Sequence, residues 1–315
     1  MEYSIEQKEM ITSALVAYIK DTGCAAVKIA NDLNINEAFL SQVRNGKYSI
    51  TKSTIKTRQL SMIAKYVGLA FEREWWYKVD TLQSMSIEAY LYEAKDFATI
   101  KTIIGDTGVG KTYTVDCFVE ANKQDVVYRI TVGALHTMVN VIDDIMHTMN
   151  LECKGDKVSK LRKIEARMKE LSHMGRKPLL IIDEAENLKL PIIGLMKQIY
   201  DILVKPRYCG VVLIGTSQLI DKFEKMVRKN KIGVPQFMRR IKSGIERVYS
   251  VEWHEDKAFM IYLQELVGDD RIITLLKENA SNYGEVNDFI EPAMRDADRL
   301  CEEFNYEFFK NKYRL

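Results

Sequence analysis

The residues best suited to do chemistry are Gly105-Asp106-Thr107-Gly108-Val109-Gly110-Lys111-Thr112. They fit the pattern G-x-x-x-x-G-K-[ST] at every position. In that pattern the glycines let successive backbone N–H groups wrap a phosphate chain. A helix beginning at the loop adds partial positive charge. Lys111 would reach the β- and γ-phosphates, and the Thr112 hydroxyl would bind Mg2+. The nucleotide-contacting stretch is expected to run from Gly105 to Tyr113. A second group follows at Leu179-Leu180-Ile181-Ile182-Asp183-Glu184. Asp183 would hold magnesium, directly or through water, and Glu184 would polarise the attacking water. Adjacent Asp and Glu point to ATP hydrolysis. A nucleotide kinase would need an acceptor pocket, and no residues for one are identifiable. ATP and Mg2+ are therefore the expected cofactors.

These groups need elements to position them. Ala98–Ile104 reads as a short buried strand ahead of the loop, and Tyr113–Val119 as a helix behind it. The four aliphatic residues before Asp183 suit a strand covered on both faces of a parallel sheet, with its acids at the C-terminal end where such sheets place ligands. Val126–Val132 reads as another strand and Cys209–Ser217 as the fourth. Helices are expected near Leu135–Met149, Ser159–Leu171 and Ile192–Leu203. Strands alternating with helices imply an α/β, doubly wound parallel sheet over residues 98–253. Residues 254–315 lack strand signals and read as a helical lid: Lys257–Val267, Arg271–Ala280 and Glu285–Phe304, the last interrupted near Pro292.

Residues 1–68 read as an all-α domain, joined by a connector at 69–97. Ala26–Leu33 and Glu37–Lys47 are short amphipathic helices around the tight turn Asn34-Ile35-Asn36. Ile29, Ala30, Leu33, Ile35, Leu40 and Val43 fall where a helix-turn-helix packs its core, and the segment resembles the repressor-type family of that motif. In such a domain Asn36, Glu37, Ala38, Ser41 and Gln42 would face bases, and Lys28, Arg44, Lys47 and Lys52 would face phosphates. A protein-docking or purely structural bundle is the alternative. In the connector, Trp75-Trp76-Tyr77 reads as packing against the next domain, and Ser86–Glu93 as a helix.

The net charge of +2 over 315 residues shows no global attraction to nucleic acid, so any such surface must be local. Cys24, Cys117, Cys153, Cys209 and Cys301 are odd in number and lack metal-ligand spacing. They read as free thiols in a reducing cytoplasm. No apolar run approaches the roughly 20 residues of a membrane span. The scattered histidines suggest no metal beyond magnesium.

The order of parts resembles AAA+ ATPases. That resemblance places Thr216, with Ser217 behind it, at the position that senses the γ-phosphate or attacking water. The alternative is a hydroxyl that caps the next helix. It makes Arg240 in Gln236-Phe237-Met238-Arg239-Arg240-Ile241 the arginine given to a neighbour's site, with Arg239 next. The phosphate loop, Leu179–Leu188, Val211–Gly215 and the helix-turn-helix together resemble the phage Mu B family of transposition proteins, alongside TniB- and TnsC-like ATPases. One departure is Asn287 in Gly284-Glu285-Val286-Asn287, where many such lids carry an arginine; this implies slow turnover.

The resemblance implies an ATP-dependent homo-oligomer, helical on double-stranded DNA, that recruits and stimulates a transposase. Lys160, Lys163 and Arg167, and Arg228, Lys229 and Lys231, are the candidate DNA-facing residues of the ATPase part. A helicase-loader ATPase of DnaC or IstB type and a nucleotide-switched DNA-binding regulator are the other readings.

Overall fold

The computed structural model describes residues 3–50, 53–54, 57–69, 76–300 and 302–315. Lys52, Trp75 and Cys301 lie outside the described residues. The chain divides into two compact units. One holds Met1–Tyr77, Met260–Ser281 and Glu285–Leu315; the other holds Lys78–Phe259 and Asn282–Gly284.

The chain opens with helix α1 (Ile5–Thr22), begun by a capping box. The Ser4 hydroxyl accepts from the Gln7 N–H, and the Gln7 side chain accepts from the Ser4 N–H. Helices α2 (Ala26–Asp32) and α3 (Glu37–Arg44) flank a turn in which Asn34 takes φ +50°. A two-stranded antiparallel ladder, β1 (Ser49–Ile50) and β2 (Ser53–Thr54), leads to α4 (Thr57–Tyr66). Ile11, Leu15, Ile29, Leu40, Val43, Leu60 and Ile63 form the core here, with Leu33 and Ile35 packed against it.

The second unit runs α5 (Leu82–Phe97), β3 (Ile100–Gly105), α6 (Lys111–Ala121), β4 (Val127–Thr131), α7 (Met138–Thr148), α8 (Lys157–His173), β5 (Leu179–Asp183), α9 (Leu190–Ile199), β6 (Gly210–Gly215), α10 (Ser217–Arg228), α11 (Val234–Ile241) and β7 (Ile245–Val248). The sheet is parallel in the order β4-β5-β6-β3-β7. Its aliphatic runs follow from burial on both faces. Leu180 and Ile182 join one core with residues of α7 to α11, while Leu179 and Ile181 join the other with Ile87, Leu91, Val115 and Phe118 of α5 and α6. Gly210 opens β6 because α5 passes close over it; a Cβ there would stand 2.1 Å from the Ala94 carbonyl oxygen.

Beyond the expected four strands, β7 adds a fifth at the edge beside β3. Its sequence, Ile-Glu-Arg-Val, lacks the aliphatic run of the inner strands because only Val248 in it is buried. Helices α12 (Lys257–Val267), α13 (Asp270–Asn279), α14 (Tyr283–Leu300) and α15 (Tyr306–Tyr313) complete the chain.

Pro292 lies inside α14 without interrupting it, contrary to the sequence expectation. The proline forfeits one backbone hydrogen bond. Buried Val286, Ile290, Ala293 and Ala297 keep the helix packed on both sides of it. Residues of the expected N-terminal domain and of the expected lid share one compact unit. Within it Ser61 Oγ donates to Asp298 at 3.4 Å, and Lys65 Nζ donates to the Arg299 carbonyl at 3.0 Å. The Trp76 ring meets Tyr262 edge-on. No helix among the described residues is long and apolar enough to cross a membrane.

Candidate nucleotide site

The glycine loop joins β3 to α6. Gly108 and Gly110 take φ +83° and +84°, a region that costs glycine nothing, and Val109 between them is buried. Lys111 Nζ donates to the carbonyls of Gly105 at 2.7 Å and Asp106 at 2.6 Å, so its ammonium is folded back over the loop. Burial pushes the Lys111 pKa below its ordinary value, against the opposing pull of Glu186, Asp183 and Asp106. Asp106, Thr107, Thr112 and Tyr113 are exposed along the loop and the first turn of α6. Asp106 also accepts from the Ser250 hydroxyl at 3.2 Å.

Asp183, at the C-terminal end of β5, is 2% exposed. Thr112 Oγ1 donates to its Oδ2 at 3.3 Å. The pair expected to hold magnesium is thus assembled across β5 and α6. Arg129 of β4 donates to the same Oδ2 at 2.7 Å, and its other terminal nitrogen meets Asp116. A carboxylate this buried needs a counter-charge, and Arg129 supplies it. Sequence reasoning missed this residue, although an arginine in the middle of an apolar strand was the signal.

Glu184 follows in the left-handed region, at φ +52°, and is exposed. Such a conformation in a non-glycine residue stores strain and is concentrated at functional sites. The Glu184 N–H donates to Asp183 Oδ1 at 2.9 Å, so one carboxylate fixes the backbone of the next. Asn187 holds the Glu184 carboxylate at 3.2 Å while its amide also donates to the Val132 carbonyl at 2.8 Å.

Thr216 stands just past β6. Among the described residues its Oγ1 is buried with no hydrogen-bond partner. The helix-capping alternative is not realised, because α10 has no side-chain cap bond from Thr216. A buried unpaired hydroxyl beside this loop fits a phosphate or water partner. The Thr216 N–H is met by Glu186 Oε2 at 3.4 Å, and Ser217 is exposed. The donor set therefore fits a nucleotide with its magnesium: the ammonium of Lys111, the Thr112–Asp183 pair and the unused Thr216 hydroxyl.

The remaining expected residues are spread more widely. Arg240 donates to Asp201 at 2.7 Å and lies over the Tyr200 ring at 5.1 Å, while neighbouring Arg239 is exposed. Lys160 is a correction: it is 9% exposed and ion-paired to Asp143 at 2.6 Å, because α8 packs that edge on α7. It cannot face DNA as placed. Lys163 donates to the carbonyls of Glu152 and Lys154, and Arg167 pairs with Glu170. Arg228, Lys229 and Lys231 are exposed at and after the end of α10, around Ile232, which is 96% exposed. Lys229 and Lys231 line a groove of about 600 Å³ with Lys222, Lys225 and Glu186.

In the other unit, Lys28, Asn36, Arg44 and Lys47 are exposed and Ser41 and Gln42 half-buried. The Asn36 carboxamide oxygen is engaged as the cap of α3, accepting from the Ala38 N–H at 2.8 Å.

Residues 96–223 match a family described as the AAA domain. The chain is similar in structure to the ORC2 protein of Aeropyrum pernix, solved as ADPNP-ADP complexes. The TM-score is 0.53 at 18% identity, covering 75% of this chain and 68% of that one. It is similar also to Cdc6p of Pyrobaculum aerophilum, with TM-score 0.53 at 14% identity, covering 74% of this chain and 66% of that one. No curated protein matches it. The fold is that of an AAA+ P-loop NTPase, a parallel five-stranded sheet with its phosphate loop at the end of β3.

Proposed function

We propose that this protein is an ATP hydrolase that assembles as a homo-oligomer on duplex DNA and activates a partner transposase. The observation that carries the ATPase reading is the meeting of Lys111, Thr112, Asp183 and the unpaired Thr216 hydroxyl around one glycine loop. On nucleotide entry Lys111 exchanges two loop carbonyls for phosphate oxygens. Thr112 and Asp183 would hold Mg2+, which would supply charge neutralisation for the transferred phosphoryl group. Arg129 holds the Asp183 carboxylate in orientation. Glu184, held by Asn187, orients the attacking water. Thr216 donates to that water or to the γ-phosphate.

Arg240, or the exposed Arg239 beside it, completes a neighbour's site after assembly; for Arg240 this means exchanging Asp201 for the neighbour's phosphate. The DNA reading rests on the exposed cations Arg228, Lys229 and Lys231 and on Lys28, Arg44 and Lys47. Their side chains suit phosphate contacts with little base preference. The transposition role rests on the resemblance of the motifs to Mu B-like proteins.

The test is ATP turnover with and without non-specific duplex DNA. Wild-type turnover that rises with DNA and disappears in Lys111→Ala supports the proposal. DNA-independent turnover equal in both proteins contradicts it.

A further inference from the structure

The turn Asn282-Tyr283-Gly284 belongs to the same compact unit as the phosphate loop. The Gly284 N–H donates to the Gly108 carbonyl at 3.3 Å. The Asn282 carboxamide lies on the face of Gly108 where a side chain would project. A Cβ at Gly108 would stand 2.2 Å from Asn282 Oδ1 and 2.8 Å from Nδ2. Glycine at 108 suits its φ of +83°, and any side chain there would have to displace the Asn282 carboxamide. Gly284 is pressed from the same side, since a Cβ on it would stand 3.2 Å from Asn282 Oδ1 and 3.4 Å from the Gly108 Cα.

The turn is anchored at its other side as well. The Tyr283 hydroxyl donates to Asp256 Oδ2 at 3.0 Å, and its ring meets Phe259 edge-on at 4.8 Å. Tyr283 is 9% exposed. Asn282 is thus fixed at the loop by its neighbours in sequence.

A carboxamide carries two N–H donors and one acceptor. The loop it covers exists to present donors to an anion. A neutral donor there adds to the phosphate cradle without the charge repulsion that an acid would bring. We propose that Asn282 is a nucleotide-positioning residue: with a triphosphate bound, its Nδ2 donates to a terminal phosphate oxygen, so that the Asn282–Gly284 turn distinguishes ATP from ADP. The inference rests on the reading of Gly105–Thr112 as the ATP site and assigns a residue outside both motifs to it.

The test is equilibrium binding of fluorescent ATPγS and fluorescent ADP to the full chain. It compares wild type with Asn282→Ala, Asn282→Asp and Lys111→Ala, with thermal melts of each nucleotide-free protein. Asn282→Ala is expected to weaken ATPγS about tenfold, as for one lost hydrogen bond to a charged group, and to leave ADP within about twofold. Asn282→Asp, which is isosteric, is expected to weaken ATPγS further by repulsion; it also covers a case in which alanine loosens the turn. Equal losses for both nucleotides would make Asn282 a mere support of the loop and overturn the proposal, as would no loss at all. Wild type binding neither nucleotide, or Lys111→Ala binding both normally, would remove the ATP site itself. The experiment therefore separates the two failures.

Discussion

Asp183 and Glu184 are adjacent in sequence and opposite in environment. Asp183 is enclosed, with Arg129 and Thr112 on one of its oxygens and the Glu184 N–H on the other. Glu184 is exposed, strained in φ and tethered by Asn187. This division suits a metal ligand beside a water-orienting base. Glu184→Gln keeps the shape and the Asn187 contact but loses the basic oxygen. We expect ATP affinity within about threefold of wild type and hydrolysis reduced by roughly 10²–10⁴, the range for a lost general base. Single-turnover hydrolysis and equilibrium binding measure the two separately, and unchanged turnover would remove Glu184 from this role. The loop and the acids were legible in the sequence because each function needs a fixed residue type at a fixed local spacing. Arg129, Asn187 and Asn282 were not, because each reaches the site by a contact between segments distant in sequence or by a side-chain direction that no local pattern encodes.

At the scale of elements, β3 is the strand everything else is hung upon. It carries the phosphate loop at its end and pairs with β6 on one side and β7 on the other. It also contains Lys101, 8% exposed, which reaches Glu93 of α5 at 2.8 Å and Glu246 of β7 at 2.9 Å. The ion pairs tie the edge strand and a covering helix to the strand that bears the site. Burial opposes the charge, but the two carboxylates outweigh it and raise the Lys101 pKa. Lys101→Ala leaves exposed Glu93 and partly buried Glu246 facing each other without a cation. The expected cost is on the order of 2 kcal/mol, since both acids keep some water. Chemical denaturation checks it, and a midpoint equal to wild type would show the pairs to be idle.

The inner strands were legible because their runs are aliphatic on both faces; β7 was not, because an edge strand half open to water can carry Glu246 and Arg247. Pro292 misled in the other direction. Its local penalty is real, and the buried face of α14 outweighs it.

For the molecule as a whole, the sequence suggested a linear series of parts, yet residues near both ends share one compact unit. That grouping rests on side-chain contacts such as Ser61 with Asp298, which no periodicity announces. The exposed cations are also unevenly spread. In α8, Lys160, Lys163 and Arg167 are engaged by Asp143, Glu170 and backbone carbonyls, whereas the Arg228–Ile232 segment keeps Lys229 and Lys231 at the surface around an exposed isoleucine. If the protein coats DNA, that segment is the stronger candidate for the ATPase unit's contact with it.

The most direct measurement is electron microscopy of the protein with non-specific duplex DNA, with and without a non-hydrolysable ATP analogue. Helical coats are expected only with the nucleotide, with Lys229 and Lys231 toward DNA and Arg239 or Arg240 reaching the neighbouring subunit's phosphate loop. Assembly that ignores nucleotide, or dispersed single subunits under both conditions, would contradict the proposed function.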